Sequence, residues 1–220
     1  RAEKATTFSI SYRKYDVKKQ VNFNSELYYE GTQNPIIQSV KILNTGKQEI
    51  KSMNAGNRHS VVTRLGISKS FQKINRYNHT VSFYLSYQNM VTPTVFNETE
   101  FSQKVNVFKT TVGNSFNWQD KFNLYYSYSY TANINRFTNK FTADVLSNVQ
   151  NLDVEVTARL FKKVSFNTTL LANKIVYENL PALPVNLFIN PSISVYCLKE
   201  NKGEIKFIVR DLLNRNNNFS

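Results

Sequence analysis

Few side chains in this sequence are of the types that do chemistry, and their spacing decides what they can do. Asp153 and Glu155 stand two positions apart, with Arg159 on the same parity around Thr157. Two carboxylates adjacent on one strand face are the raw material of general acid–base catalysis. They are equally what the wet face of any sheet carries, and no nucleophile, phosphate-binding loop or base stands in register with them. His59 and His79 lie far apart and neither has a metal-ligand spacing. The one cysteine, Cys197, excludes an intramolecular disulfide and a cysteine-based zinc site. The expectation is a protein that is not an enzyme and holds no metal or cofactor.

The elements that would position these residues are strands. In KFNLYYSYSY, Phe122, Leu124, Tyr126, Tyr128 and Tyr130 share one parity, and Asn123, Tyr125, Ser127 and Ser129 the other. The same period of two runs through Phe8–Tyr12, Val21–Leu27, Val61–Ile67, Val81–Tyr87, Leu152–Leu160, Val164–Leu170, Ile193–Cys197 and Ile205–Val209. Sustained alternation marks strands with two unlike faces. No stretch keeps a helical period, and no apolar run approaches the roughly 18 residues of a membrane helix. About ten strands are expected. Pro35, Pro93, Pro181, Pro184 and Pro191 are placed between the runs or at their ends, since proline lacks a ladder donor.

The connections are unequal. Tight ones are expected at Asp16–Lys19, Gln72–Arg76, Asn117–Asp120, Phe161–Lys163 and Lys199–Gly203. Long ones are expected at about Asn44–Asn54, Val91–Glu100, Asn133–Lys140 and Asn179–Asn190. They alternate along the chain, so an up-and-down antiparallel sheet has turns at one edge and loops at the other.

Charge narrows the partners. Lys and Arg number 28 against 15 Asp and Glu, a formal +13. A basic balance invites nucleic acid, but the cations are scattered in pairs near turns and no nucleic-acid motif appears. An acidic membrane surface or an anionic ligand suits basic turns better.

Two architectures fit alternating strands: a soluble sandwich with a packed core, and a membrane barrel with an apolar outside and a wet inside. The lengths of the runs favour the barrel. Lys121–Tyr130, Asn151–Leu160 and Val164–Asn173 are each about ten residues, against a usual 5–6. Aromatic residues cluster near strand ends, among them Phe71, Tyr77, Phe116, Trp118, Phe122, Tyr130 and Phe161. On this reading Phe122, Leu124, Tyr126, Tyr128, Val154, Val156, Val164 and Phe166 face lipid. Asp153, Glu155 and Arg159 face the lumen.

The C-terminal stretch PSISVYCLKENKGEIKFIVRDLLNRNNNFS, with Lys202-Gly203-Glu204, a β run, then Asp211-Leu212-Leu213-Asn214 and an Asn-rich end, resembles the barrel of TonB-dependent receptors, the SusC-like transporters among them. LFKKVSFNTTLLAN (Leu160–Asn173) and SYRKYDVKKQVNFNSELYYEGTQNPIIQSV (Ser11–Val40) look like earlier hairpins of that family. The resemblance implies an outer-membrane barrel of about 22 strands around a plug, in a Gram-negative bacterium. It implies import of a large or scarce nutrient (glycan, peptide or metal chelate) driven through TonB, with a SusD-like surface lipoprotein as lid. A non-transporting structural barrel subunit is the alternative, and a soluble all-β binding domain a further one. Residues 1–220 are expected to be a partial barrel domain without plug or last strand. Gly203 is expected in a tight turn with positive φ, with Glu204 following it. Asp211 and Asn214, flanking Leu212 and Leu213, are expected to cap the strand end. Ligand contacts are expected from outer loops and upper lumen, at Asn97, Glu98, Arg136, Tyr177 and Glu178.

Overall fold

The computed structural model describes residues 2–43, 45–73, 76–119, 121–139, 143–161, 163–181, 183–197 and 202–214. Parts of four expected tight turns (74–75, 120, 162 and 198–201) and the Asn-rich end (215–220) lie outside them.

The alternating segments do form strands. They are β1 (Lys4–Asp16), β2 (Val21–Gln33), β3 (Ile36–Ile42), β4 (Gln48–Asn54), β5 (Arg58–Lys73), β6 (Tyr77–Phe96), β7 (Thr99–Trp118), β8 (Phe122–Phe137), β9 (Val145–Phe161), β10 (Val164–Tyr177), β11 (Asn186–Cys197) and β12 (Gly203–Ile208). All belong to one sheet, ordered β1-β2-β5-β6-β7-β8-β9-β10-β11-β12, with β3 and β4 off that path. Along the path each strand pairs antiparallel with its neighbour. The fold is therefore all-β and up-and-down, and the sheet is open, with β1 and β12 at its edges.

Tight turns join the strands at one edge and longer connections at the other, except that β6 and β7 meet there in a tight turn, and four boundaries move. Val91–Glu100 is not a loop. β6 and β7 are 20 residues each and meet in a two-residue turn, Asn97-Glu98, with φ of 48° and 65°. Positive φ at both central residues is the hairpin geometry that matches strand twist, and asparagine adopts it at low cost. Asn44–Asn54 is likewise mostly structured, as the turn and second strand of the β3–β4 hairpin. That hairpin rejoins the sheet through a two-residue parallel ladder, Ser39 and Val40 beside Val95 and Phe96 of β6. β8 continues to Phe137 and β11 begins at Asn186, so those two loops shrink as well. The main-path strands other than β12 run from 12 to 20 residues rather than ten.

Two prolines sit inside strands. Pro93 of β6 pairs with Ser102. The β5 ladder on the other flank has stopped at Val91, so a missing donor there costs no ladder bond. Pro191 of β11 pairs with Thr168 while its carbonyl accepts Val209 N–H at 2.9 Å. A residue's N–H and C=O point to the same side of an extended strand. Its ring nitrogen therefore also points toward β12, beyond that strand's last ladder pair, Ser192 with Ile208.

Gly203 does not take positive φ; it opens β12, extended, opposite Cys197. The positive angles fall downstream, at Asp211 (49°) and Asn214 (48°). Asp211 N–H donates to Asn190 Oδ1 at 2.8 Å and Leu212 N–H to Ile189 O at 2.9 Å. One extra residue is thus accommodated, as in a bulge, and Asn190 supplies the side-chain cap to Asp211.

A single layer has no interior between sheets. Proline aside, Val95 (4% exposed) is the only buried hydrophobic side chain among the described residues. The second layer that a soluble sandwich requires is absent among them.

Candidate functional site

Laterally paired residues share a face of the sheet, so the register sorts every side chain. Tyr126 of β8 lies between Asn114 and Val154, Val154 meets Leu170, and Leu170 meets Ile189. Toward the other edge, Val112 leads to Phe83, Ile67, Phe23 and Lys14. Phe122, Leu124, Tyr126, Tyr128, Val154, Val156, Val164 and Phe166 all fall on this one face. Nothing described covers it: Phe83 is 44% exposed, Tyr128 41% and Ile193 45%.

The face is banded. Near the turn edge its rings touch in series: Phe71–His79 (5.8 Å between centroids), His79–Phe116 (6.0 Å), Tyr77–Phe116 (6.1 Å) and Phe116–Phe122 (6.3 Å). Trp118 lies beside Phe122. Toward the loop edge stand Tyr87, Phe108, Tyr128 and Tyr130. Their hydroxyls mark a boundary: Tyr87 Oη donates to Asn106 Oδ1 (2.9 Å), Tyr130 Oη to Asn148 Oδ1 (2.9 Å) and Tyr128 Oη to Gln150 Oε1 (3.2 Å). Beyond them polar and charged residues enter the same parity, with Asn89 bonded to Asn106 and Lys104 opposite Arg136, among Val91, Ile134 and Leu146. From Phe122 to Tyr130 is eight steps, about 27 Å along the strand at roughly 3.4 Å each. Tilted by about 40° this is roughly 21 Å, close to the apolar band of about 25 Å in transmembrane barrels.

The reverse face is small and polar, and crowded: Ser129 is 8% exposed although no described residue stacks on it. Crowding of the small side chains opposite exposed large ones fits a sheet curled around its polar face. A hollow of about 530 Å³ lies on this side, lined by Glu26, Tyr28, Glu30, Arg58, Arg64 and Gln88 among others. Arg64 Nη1 pairs with Glu26 Oε2 at 2.9 Å across the β2–β5 ladder. Arg58 Nη2 reaches Glu30 Oε1 at 3.3 Å, and Tyr28 Oη donates to Glu30 Oε2 at 2.9 Å. These ion pairs need water or polar ligands around them. The sequence reading missed this cluster, because β2 meets β5 only across the β3–β4 insertion.

The anticipated lumen residues share that polar face but not that hollow. Asp153 lies between Ser127 and Leu171, and Glu155 between Tyr125 and Thr169. Asn167 Nδ2 donates to Glu155 Oε1 at 3.3 Å. Arg159 pairs with Ser165 next to a bulge, and its N–H donates to Lys121 O at 2.7 Å. Among the described residues no three His, Cys, Asp or Glu side chains gather into a metal-binding group.

The anticipated loop contacts are spread along the loop edge rather than collected. Asn97 clasps the β3–β4 hairpin: its Oδ1 accepts Ile42 N–H at 2.8 Å and its N–H donates to Val40 O at 2.9 Å. Glu98 forms an ion pair with Lys41. The hydrogen bond from Lys41, then its charge, holds the Glu98 carboxyl below its ordinary range, and the same contacts raise Lys41. Arg136, on the banded face beyond the tyrosines, is 3.9 Å from Asp144. Tyr177 ends β10 opposite Ser147, and Glu178 N–H donates to Leu146 O at 3.1 Å.

The chain matches no protein-family model and no curated protein.

Proposed function

We propose that this chain forms part of the wall of an outer-membrane β-barrel of the TonB-dependent receptor type, roughly 22-stranded when complete. Its banded face meets lipid and its polar face lines a wet interior. The observation that carries this reading is the band itself: uncovered, continuous over the sheet, about as tall as a membrane's apolar layer, and bounded by tyrosines whose hydroxyls reach into a polar rim. Interfacial tyrosine and tryptophan behave this way because their rings are apolar and their tips are not. The residue patterns at Leu160–Asn173 and Pro191–Ser220 support the family. Import of a large or scarce nutrient, with a plug, TonB and a surface lipoprotein as partners, is the activity that goes with it.

The test is site-directed spin labelling of each position from 122 to 130 in bilayers, reading accessibility to oxygen against a polar relaxation agent. Oxygen should reach Phe122, Leu124, Tyr126 and Tyr128, and the polar agent the positions between. If the apolar parity is shielded from both reagents, a protein layer covers it and the barrel reading fails. Uptake that collapses when the inner membrane is de-energised distinguishes a transporter from a structural barrel.

A further inference from the structure

On β6, β7 and β8 the polar face carries phenylalanine only at its loop end: Phe96, Phe101 and Phe137. Elsewhere on these three strands that face is mostly Ser, Thr, Asn and Gln, with tyrosine as its aromatic residue. The three rings converge on a hollow of about 690 Å³, together with Asn97, Gln103 and Asn139. That volume is of the size that holds small ligands.

The walls are fixed before anything binds. Phe101 and Phe137 meet edge to face, centroids 6.4 Å apart at 62°. Ser102 N–H donates to Thr138 Oγ1 at 2.8 Å, and Thr138 N–H to Ser102 O at 3.0 Å, locking the β7 and β8 ends together. The third wall is the Asn97-Glu98 turn, clasped by β3. A preformed site loses little ordering entropy on binding.

Charge selects the occupant. Among the described residues the lining has no ionisable side chain, although the chain carries a formal +13. The charges nearby are directed elsewhere. Lys104 and Arg136 belong to the opposite face, Glu98 pairs with Lys41, and Glu100 Oε1 accepts Gly56 N–H at 2.7 Å. We infer that this hollow is a binding site for an uncharged aromatic ring, which the phenylalanines hold by its faces and edges while the Asn and Gln amides take its polar substituents. The inference stands on adjacent strands alone and does not depend on what covers the banded face.

The test uses saturation-transfer NMR on the full chain in bilayer nanodiscs, or in plain buffer should the chain prove water-soluble, so that failure of one reading leaves the other measurable. The probe is N-acetylphenylalaninamide, with phenylacetate and methyl glucoside as charged and non-aromatic comparators. Saturation should pass to the probe's ring protons. Phe101→Ala and Phe137→Ala should each weaken binding about tenfold, roughly 1.4 kcal/mol, while Phe207→Ala on the banded face leaves it unchanged. Phe101→Leu, which keeps a bulky apolar side chain without the ring, should weaken it as well and controls for misfolding. Equal binding by the Phe101→Ala/Phe137→Ala double variant, equal affinity for phenylacetate, preference for the glucoside, or no transfer to the probe in either medium would each overturn the inference.

Discussion

Arginine substitution at matched depth on the two faces of β8 and β9 separates lipid from water most sharply. Val154 lies mid-band, between Tyr126 and Leu170. If the band meets lipid as proposed, an arginine there brings its guanidinium into hydrocarbon, at a cost of about 2–4 kcal/mol at the bilayer midplane. Divided by about 1.4 kcal/mol per decade, that is roughly a thirty- to several-hundredfold loss in the folding equilibrium. Ser127 lies at the same height on the other face, opposite Asp153 and beside Gly113, which leaves room. Ser127→Arg gains a carboxylate neighbour in water, worth about 0–1 kcal/mol, and is expected to be near neutral. Ala132→Arg, on the banded face but beyond the Tyr130 row, should cost only about 0–1 kcal/mol, as at a membrane interface. Denaturant titration of the protein refolded in phosphatidylcholine vesicles, followed by the fluorescence of the single tryptophan, Trp118, measures all three. A protein layer over the band would impose no depth profile. Equal costs for Val154→Arg and Ser127→Arg, or a cost at Ala132 matching that at Val154, would refute the assignment of faces.

Gly66→Ala should destabilise by about 1–3 kcal/mol in the same titration, because a Cβ there would stand 2.8 Å from the Tyr84 ring and close to the Asn24 amide. Gly113→Ala should fall within about 0.5 kcal/mol of neutral, since its Cβ meets only the rotatable Ser82 hydroxyl within 3.0 Å. The Lys41–Glu98 clasp should respond to pH in both directions. The depressed Glu98 carboxyl contributes above its unfolded pKa and stops contributing as pH falls through its folded value; raised Lys41 contributes until pH rises through its own. Hydrogen exchange at the Ile42 amide should therefore be slowest, after correction for intrinsic rate, across neutral pH and quicken beyond both ends. In Glu98→Gln the acid-side change should vanish, and a profile unchanged by that substitution would show that the ion pair does not hold the hairpin. Asn190→Ala should cost about 1 kcal/mol by removing the acceptor for Asp211 N–H, with faster exchange confined to residues 209–214.

Alternation made the strands and their faces readable without coordinates, because a period of two survives any error in strand ends. What it could not supply was where the strands stop. Val91–Phe96 reads as a loop because Pro93 interrupts it, yet a proline beyond the end of the β5 ladder costs β6 nothing. Ile36-Ile37 breaks the alternation at the start of β3, so the hairpin it opens went unseen. Gly46, with φ of 78°, was its turn signal. The Arg–Glu pairs were hidden for the same reason. Glu26 and Arg64 are 38 positions apart and meet only if the whole insertion folds back on itself. Gly203 misled in the opposite sense, as a glycine that the backbone uses in an extended conformation any residue adopts.

The turn edge carries one more regularity that a water-facing sheet does not demand. Just past the aromatic row come Arg13, Lys14, Lys18, Lys19, Lys73, Arg76, Lys121, Arg159 and Lys163, against Asp16 and Glu204 among the described acidic residues of that edge. Two cations lie against the aromatic row: Lys69, just inside it on β5, with Nζ 4.9 Å from the Phe71 centroid, and Lys121, with Nζ 5.8 Å from that of Trp118. Lys69 apart, apolar side chains, then rings, then cations is the order along the strands, and it is the order of hydrocarbon, interface and headgroup. Long basic side chains stabilise it by laying their methylenes on the rings and their charges in water or on anionic groups. The same basic turns that invite a nucleic-acid reading of the composition thus acquire a position, one that fits the proposed membrane surface. A soluble sheet has reason to hide its aromatic residues beneath a second layer and none to arrange them in a row beneath its lysines.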